Sequence, residues 1–403
     1  MNRSAPTLAL LLAAVSGVLA IHPAKGATPP CAKTNVGTVA VRLPAFLKVT
    51  TSCARYTISP RGRVSVARRP HAPRGISWMQ IAGPGAALAE HGGRIAVLRG
   101  DREVWRSVGR FRVNGVFATV GPRAVAFSYD DFARGSPGPS LYVAPLHGSE
   151  RKVASGELPL GWTAAGRLLS WRFRQGLFGL FLRRADGSLL RQVGARLREL
   201  RFEPASRTAL ALTRAGVLER YDGRWHRLAD LRALGFGRRA SFEPLAGGLV
   251  GVLEDGHVAI LRRDGTRFAS AQFPARRRSF SVAGQSGLVA NASGHAVAFA
   301  VTSGNDGSAR VGRESLYVLR AGDREPTRLY DGRLRFAVCE RWAGLDWHGD
   351  WLLYATTEGM TFALDTRAPA RRIDLTRLVA RFASKDGEGK IGAQVDWADG
   401  GDS

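Results

Sequence analysis

A short hairpin phrase returns about every forty residues along this chain and constrains its fold more than any other feature. Leu180–Leu189 reads LFLRRADGSL, Leu218–Trp225 reads LERYDGRW and Ala259–Phe268 reads AILRRDGTRF, while Leu141–Glu150 (LYVAPLHGSE) and Leu316–Glu325 (LYVLRAGDRE) are looser copies. A fixed period of this size marks a repeat architecture, in which one unit cannot bury its apolar face alone and stacks on its neighbours. Such a pattern describes a scaffold, and function has to be sought in the residues that depart from it.

Each repeat opens with a short strand, a turn and a strongly apolar strand. Phe117–Val120 leads into Arg123–Phe127, Leu160–Trp162 into Arg167–Trp171, Arg201–Pro204 into Arg207–Leu212, and Ser241–Pro244 into Leu249–Leu253. Leu288–Ala290 into His295–Ala300 and Leu345–Trp347 into Trp351–Ala355 continue the series. Runs of four to six apolar residues bounded by Gly, Pro and Asp read as buried strands rather than helices. The second half of each repeat is a hairpin with Asp186-Gly187, Asp222-Gly223 or Asp264-Gly265 at its tip. Asp-Gly suits a type I′ turn, so these pairs read as turn chemistry and not as calcium ligands.

Four short strands per forty residues make a propeller blade. The fold expected is all-β: a single β-propeller of four-stranded blades over residues 56–378, with seven blades as the leading count and six as the alternative. The seventh, weaker unit covers roughly Thr57–Arg106. Open sheet edges are a liability, so a terminal strand should close the ring. Val36–Leu43 and Ile391–Trp397, the latter in the tail 379–403, are the candidates. One unit is stretched by a polar insertion, Thr302–Arg313, of the kind that carries function or disorder.

The stretch Phe117–Gly156 runs through RAVAFSYDD, a Gly/Pro/Ser loop, SLYVAPLHGSE and RKVASG, and Leu316–Gly332 is similar in its second half. Together with Phe202-Glu203-Pro204 and Phe242-Glu243-Pro244, these segments resemble the repeat of TolB-type propellers over roughly residues 80–370. Glu stands where that family has Ser in its Phe-Ser-Pro. The resemblance implies a propeller in an extracytoplasmic setting and carries over no partner. No separate N-terminal α/β domain like that of the TolB protein is evident.

The N-terminus reads as a secretory signal peptide over residues 1–26: Asn2 and Arg3, then the apolar run Leu8–Ala20, then small residues at two candidate cleavage points. The run is too short to span a bilayer. An uncleaved interfacial anchor is the alternative. An extension over 27–55 follows. Three cysteines remain, Cys31, Cys53 and Cys339. An odd count in an exported chain allows one pair at most, Cys31–Cys53 as the local bridge or either of them with Cys339.

The formal charge is +26, almost all of it arginine. Residues 41–115 carry fourteen basic and three acidic side chains. Such a charge draws a protein toward anionic partners. For an exported chain these are anionic lipid headgroups, so that a peripheral contact with a membrane surface is open, or acidic wall polymers. Nucleic acid is not expected without a recognisable nucleic-acid module. Arginine filling solvated strand faces accounts for the composition equally well.

No Gly-x-Ser-x-Gly elbow, Walker loop or dinucleotide fingerprint occurs, and no Cys/His cluster suggests zinc. No cofactor, metal or catalytic set is therefore assigned. The acids that stand out are Glu203 and Glu243, at matching places in adjacent repeats, and Asp346; near a central channel they could bind a cation or act as acid and base. The structural alternative is that each glutamate orients a strand–Pro turn or pairs with an arginine. Arg276, Arg277 and Arg278 form a candidate anion-binding rim. Arg94, Arg123, Arg167 and Arg207 recur before the inner strand and suggest pairing across blades. The reading reached is an exported, non-catalytic binding module for a protein or an anionic cell-envelope polymer. The alternative is a propeller enzyme, a metal-dependent lactonase or a quinone-dependent dehydrogenase.

Overall fold

A computed structural model describes residues 37–50, 54–68, 76–83, 86–91, 94–99, 102–109, 116–129, 139–254, 256–273, 288–303, 312–334, 345–356, 360–385 and 394–397. The signal segment 1–26, Cys31, Cys53, Cys339, Arg276, Arg277, Arg278 and residues 304–311 of the insertion lie outside the described residues. The described chain is nearly all strand, with one α-helix, Thr376–Lys385, and one 3-10 turn, Ala246–Gly248. It divides into two compact units, one from residues within Ala72–Arg238 and one from residues within Gly26–His71 and Arg239–Gly401.

In the first unit, Ile76–Gly83, Ala86–His91, Arg94–Arg99 and Arg102–Arg106 form one antiparallel meander, and Val116–Val120, Ala124–Tyr129, Ser140–Pro145 and Arg151–Ser155 form the next. A seven-stranded sheet follows, from Leu158–Trp162 to Trp225–Asp230. It contains two four-strand sets that share the fifteen-residue strand Leu189–Glu203. The first half of that strand pairs with Leu177–Arg183 and the second with Thr208–Thr213. Near the changeover Arg196 has φ 58°, a left-handed conformation that bends the strand from one set into the other.

The second unit holds three meanders, starting at Ser241–Leu245, Leu288–Ala290 and Leu345–His348, and a closing sheet. In the closing sheet Gln394–Trp397 pairs with Leu47–Thr50, which pairs with Ala54–Ile58, which pairs with Val64–Arg68. Chain ends far apart in sequence thus complete one sheet. The helix Thr376–Lys385 packs Val379 and Phe382 into the same core, with the Phe382 ring 4.6 Å from that of Tyr56.

Counted as four-strand sets, the described residues hold four in each unit, against the seven or six blades read from the sequence. The weak repeat Thr57–Arg106 accounts for part of the difference. It runs across two sheets, the end of the closing sheet and the whole of the next.

Two glycines explain how consecutive first strands approach in the first unit. A Cβ on Gly121 would lie 2.6 Å from the Trp162 ring, and one on Gly161 would lie 2.4 Å from the Phe202 ring. Each glycine is the socket for an aromatic side chain about forty residues later. The Trp162 indole N–H also donates to the Thr119 carbonyl at 3.3 Å. In the second unit Trp347 donates likewise to the Val289 carbonyl at 3.2 Å.

The structure corrects two local expectations. The Asp-Gly hairpins are not type I′ turns, because Asp186, Asp222 and Asp264 do not have positive φ; only the glycines do. The Gly187 N–H donates to the Arg184 carbonyl and the Arg184 N–H to the Ser188 carbonyl, with a register shift at Leu182/Arg183. That is a type I turn followed by a left-handed glycine bulge, and Asp264-Gly265 repeats it. The two-residue loop with positive φ at both positions is Gln175-Gly176. Secondly, Arg123, Arg167 and Arg207 are exposed at their turns. Arginines that do reach across are Arg151, to the Asp186 carbonyl of the next sheet, Arg191, to the Gly223 carbonyl in the other four-strand set of the same seven-stranded sheet, and in the second unit Arg320, to the Thr366 carbonyl of the next sheet.

Candidate functional site

Glu203 closes the hairpin between Leu189–Glu203 and Thr208–Thr213, directly opposite Thr208. It is 6% exposed. Its carboxylate accepts from the Ser206 hydroxyl and, at 3.3 Å, from the Thr208 hydroxyl. These two donors belong to the same hairpin, and Pro204 leaves its tip one backbone donor short. The side chain therefore locks its own hairpin.

Glu243 belongs to the other unit and stands in a different register. It faces Gly251, two pairs before the closing pair Leu245–Leu249 of its hairpin. Pro244 lies within the first strand of its sheet, where a missing N–H is tolerated at an edge. The matching Phe-Glu-Pro triplets thus conceal a two-residue offset relative to the turn, and the two glutamates are not equivalent.

Asp346 sits beside the joint where Gln394–Trp397 pairs with Leu47–Thr50. Its carboxylate accepts the backbone N–H of Trp397 at 2.6 Å and that of Trp347 at 2.9 Å. Trp397 is 1% exposed and anchors the closing strand in the core. Burial pushes the Asp346 carboxyl above the usual aspartate value, and the nearby Asp396 pushes the same way. The two backbone donors and Lys48 oppose that rise.

Among the described residues one carboxylate gathers a dense set of donors at a place no sequence motif marks. Glu157, just before Leu158–Trp162, is 2% exposed and faces Ser170 and Arg183 on the next two strands. Arg183 donates to both Glu157 oxygens, at 3.0 and 2.9 Å, and to the Gly187 carbonyl at 2.9 Å. Ser170 donates to Glu157 at 2.8 Å, and Arg172 does so at 3.1 Å. Glu157 lies thirteen to twenty-six residues from its partners, which sit on the next two strands, and this leaves no motif to read. The second unit has a smaller counterpart, where the buried Tyr354 hydroxyl donates to the buried Glu314 carboxylate. Burial and that carboxylate hold the Tyr354 hydroxyl well above the ordinary tyrosine value.

Two clefts open on the second unit. One, of about 390 Å³, is lined by Pro44, His348, Asp350, Trp351, Asp365 and Arg367. Its charges are matched: Arg367 pairs with Asp350 at 3.0 Å, and Asp365 accepts the N–H groups of Arg367 and Ala368. The other, of about 780 Å³, is lined by Val39, Ala40, Val41, Arg42, Leu43, Pro60 and Arg61 and contains no acid. Among the described residues no group of three or more His, Cys, Asp or Glu is placed to hold a metal ion.

No protein-family model matches the chain, and no curated protein matches it. Among solved structures it is similar to a prolyl endopeptidase at 11% identity over 79% of this chain, with a TM-score of 0.44, and spans about half (51%) of that longer chain. It is similar to apo AztD from Citrobacter koseri at 10% identity, covering 87% of this chain and 97% of that one, with a TM-score of 0.49. It is also similar to TolB from Acinetobacter baumannii at 12% identity, covering 73% and 77%, with a TM-score of 0.31. AztD and TolB are β-propeller proteins. None of these three scores reaches 0.5.

Proposed function

We propose that this chain is an exported β-propeller of TolB-like repeats that acts as a non-catalytic binding module for an anionic partner in the cell envelope. The observation that carries this reading is the use made of the acids an enzyme would need. Glu203 holds the hydroxyls of its own turn, and Asp346 holds the closing strand through the Trp397 N–H. Carboxylates engaged in this way are poorly placed to collect a metal or move a substrate proton. Export rests on the segment Leu8–Ala20, and the anionic partner on the +26 charge.

The test pairs two measurements on purified mature protein. Binding to anionic envelope material should be saturable and weaken with salt. Turnover of lactones, or of alcohols with a quinone acceptor, should stay at background. Saturable turnover abolished by Glu243→Gln would replace this reading with the enzyme. Recovery of the chain from the cytoplasm with residues 1–26 intact would remove export.

A further inference from the structure

The turn Ser59–Arg63 is the charge-inverted member of a set. The Gly62 N–H donates to the Ser59 carbonyl and the Ser59 N–H to the Arg63 carbonyl, the same two bonds that close Arg184–Ser188 and Arg262–Thr266. Arg61 therefore occupies the position of Asp186 and Asp264. In those turns the aspartate accepts the N–H and hydroxyl of the residue two places on, Ser188 or Thr266. Here that residue is Arg63, and the job passes to Ser59, whose Oγ accepts the Arg63 N–H at 2.9 Å. The turn keeps its geometry without an acid, so its two arginines are not needed to make it.

A third arginine is brought to the same place. The segment before the closing sheet lies against this turn through Val39 N–H to the Gly62 carbonyl at 2.9 Å and Leu43 N–H to the Pro60 carbonyl at 3.0 Å. This puts Arg42 beside Arg61 on the cleft of about 780 Å³. Gly62 is required there, since a Cβ would lie 2.0 Å from the Val39 carbonyl oxygen. Arg42, Arg61 and Arg63 are exposed, and their side chains make no hydrogen bond or ion pair among the described residues. No acid is near in sequence either: the first carboxylate of the chain is Glu90. Phe46 completes the patch. Leu47 pairs with Ile58, so Phe46 lies one step further toward the turn, and it is 41% exposed.

We infer that this end of the closing sheet docks on an anionic phospholipid bilayer, with Arg42, Arg61 and Arg63 at the headgroup phosphates and Phe46 in the interface. Unneutralised arginines draw a protein to an anionic leaflet, and an exposed aromatic ring beside them gains from the headgroup–acyl boundary. A soluble polyanion would use the arginines and leave Phe46 without a role. The inference rests on the anionic envelope reading above and narrows it to one surface and one partner.

The test is sedimentation of the mature full chain with phosphatidylglycerol/phosphatidylcholine vesicles and with phosphatidylcholine alone. Binding to the anionic vesicles only, weakened by salt, is expected. Arg61→Asp restores the residue of the equivalent turns and so should keep the thermal midpoint, while reducing partitioning about tenfold or more. Arg42→Ser/Arg63→Ser should act likewise, and serves if Arg61→Asp fails to fold. Phe46→Ser should weaken binding at unchanged charge. Arg214→Asp, the same charge change on the other unit, should have little effect. Equal losses from Arg61→Asp and Arg214→Asp, or none from either, would overturn the inference. So would polyphosphate binding as tight as vesicle binding with Phe46→Ser silent, though the wider anionic-partner reading would then survive. Wild-type protein that binds neither vesicles nor polyphosphate would sink both.

Discussion

Arg183 and Arg61 are the same residue type in opposite settings. Arg183 is 4% exposed and bonded to Glu157, Ser170 and Gly187 across three strands of the first unit. Arg61 projects from the turn of the closing sheet and meets no acid among the described residues. A total of 59 basic residues cannot separate these cases, because the net charge is the same whether an arginine is an internal strut or a free cation. What separates them is the partner. A buried guanidinium is tolerated only when paired and fully hydrogen-bonded, whereas an exposed one without an acid remains available to a ligand.

The largest effect should come from breaking the internal strut. Glu157→Ala leaves Arg183 buried without its carboxylate and should cost about 3–5 kcal/mol, read as a drop in the denaturation midpoint. The double variant Glu157→Leu/Arg183→Met should recover most of that loss, since a buried pair replaced by apolar side chains is often near neutral. Next comes the aromatic socket. Gly161→Ala drives a methyl into the Phe202 ring and should cost about 1–3 kcal/mol, with Phe202→Leu in the same chain relieving part of it.

The closing joint ranks third and depends on pH. The folded-state value of Asp346 lies above the ordinary one, so the folded chain binds this proton more tightly than the unfolded chain. Its contribution is present at acid pH and is lost as pH rises from the ordinary carboxylate range through the raised value. Asp346→Asn keeps an acceptor for the Trp397 N–H and removes the repulsion from Asp396. It should therefore flatten this fall in thermal midpoint as pH rises above the ordinary carboxylate range. Asp346→Ala loses the acceptor and should cost about 1 kcal/mol at acid pH and less as pH rises. Smallest of all, Arg61→Asp should shift stability by no more than about 0.5 kcal/mol, as expected of a surface change away from packed or buried polar groups.

The meanders were legible because their signals are local. Apolar runs such as Ala124–Tyr129 and Trp351–Ala355, bounded by Gly, Pro and Asp, became strands where the pattern put them. The repeat Thr57–Arg106 was misjudged because its first hairpin lacks the Asp-Gly mark: Pro60-Arg61-Gly62-Arg63 makes the same turn with the charge reversed. The glutamates looked equivalent because Phe-Glu-Pro recurs, but register is set by cross-strand pairing that a triplet does not encode. Glu157 was invisible for a related reason. Its partners are neighbours only once three strands align, and no spacing in the chain announces that.

The most direct test of the contrast measures thermal stability and anionic-vesicle binding together on Arg183→Met and Arg61→Asp. The first should lose stability heavily, since it takes the bidentate partner from a buried carboxylate and leaves it only Ser170 and the half-buried Arg172. The second should melt like the wild type and lose most of its vesicle binding. A stable Arg61→Asp protein that binds anionic vesicles as well as the wild type would contradict the assignment of this arginine to partner binding, as would a destabilised one if Arg42→Ser/Arg63→Ser then binds like the wild type.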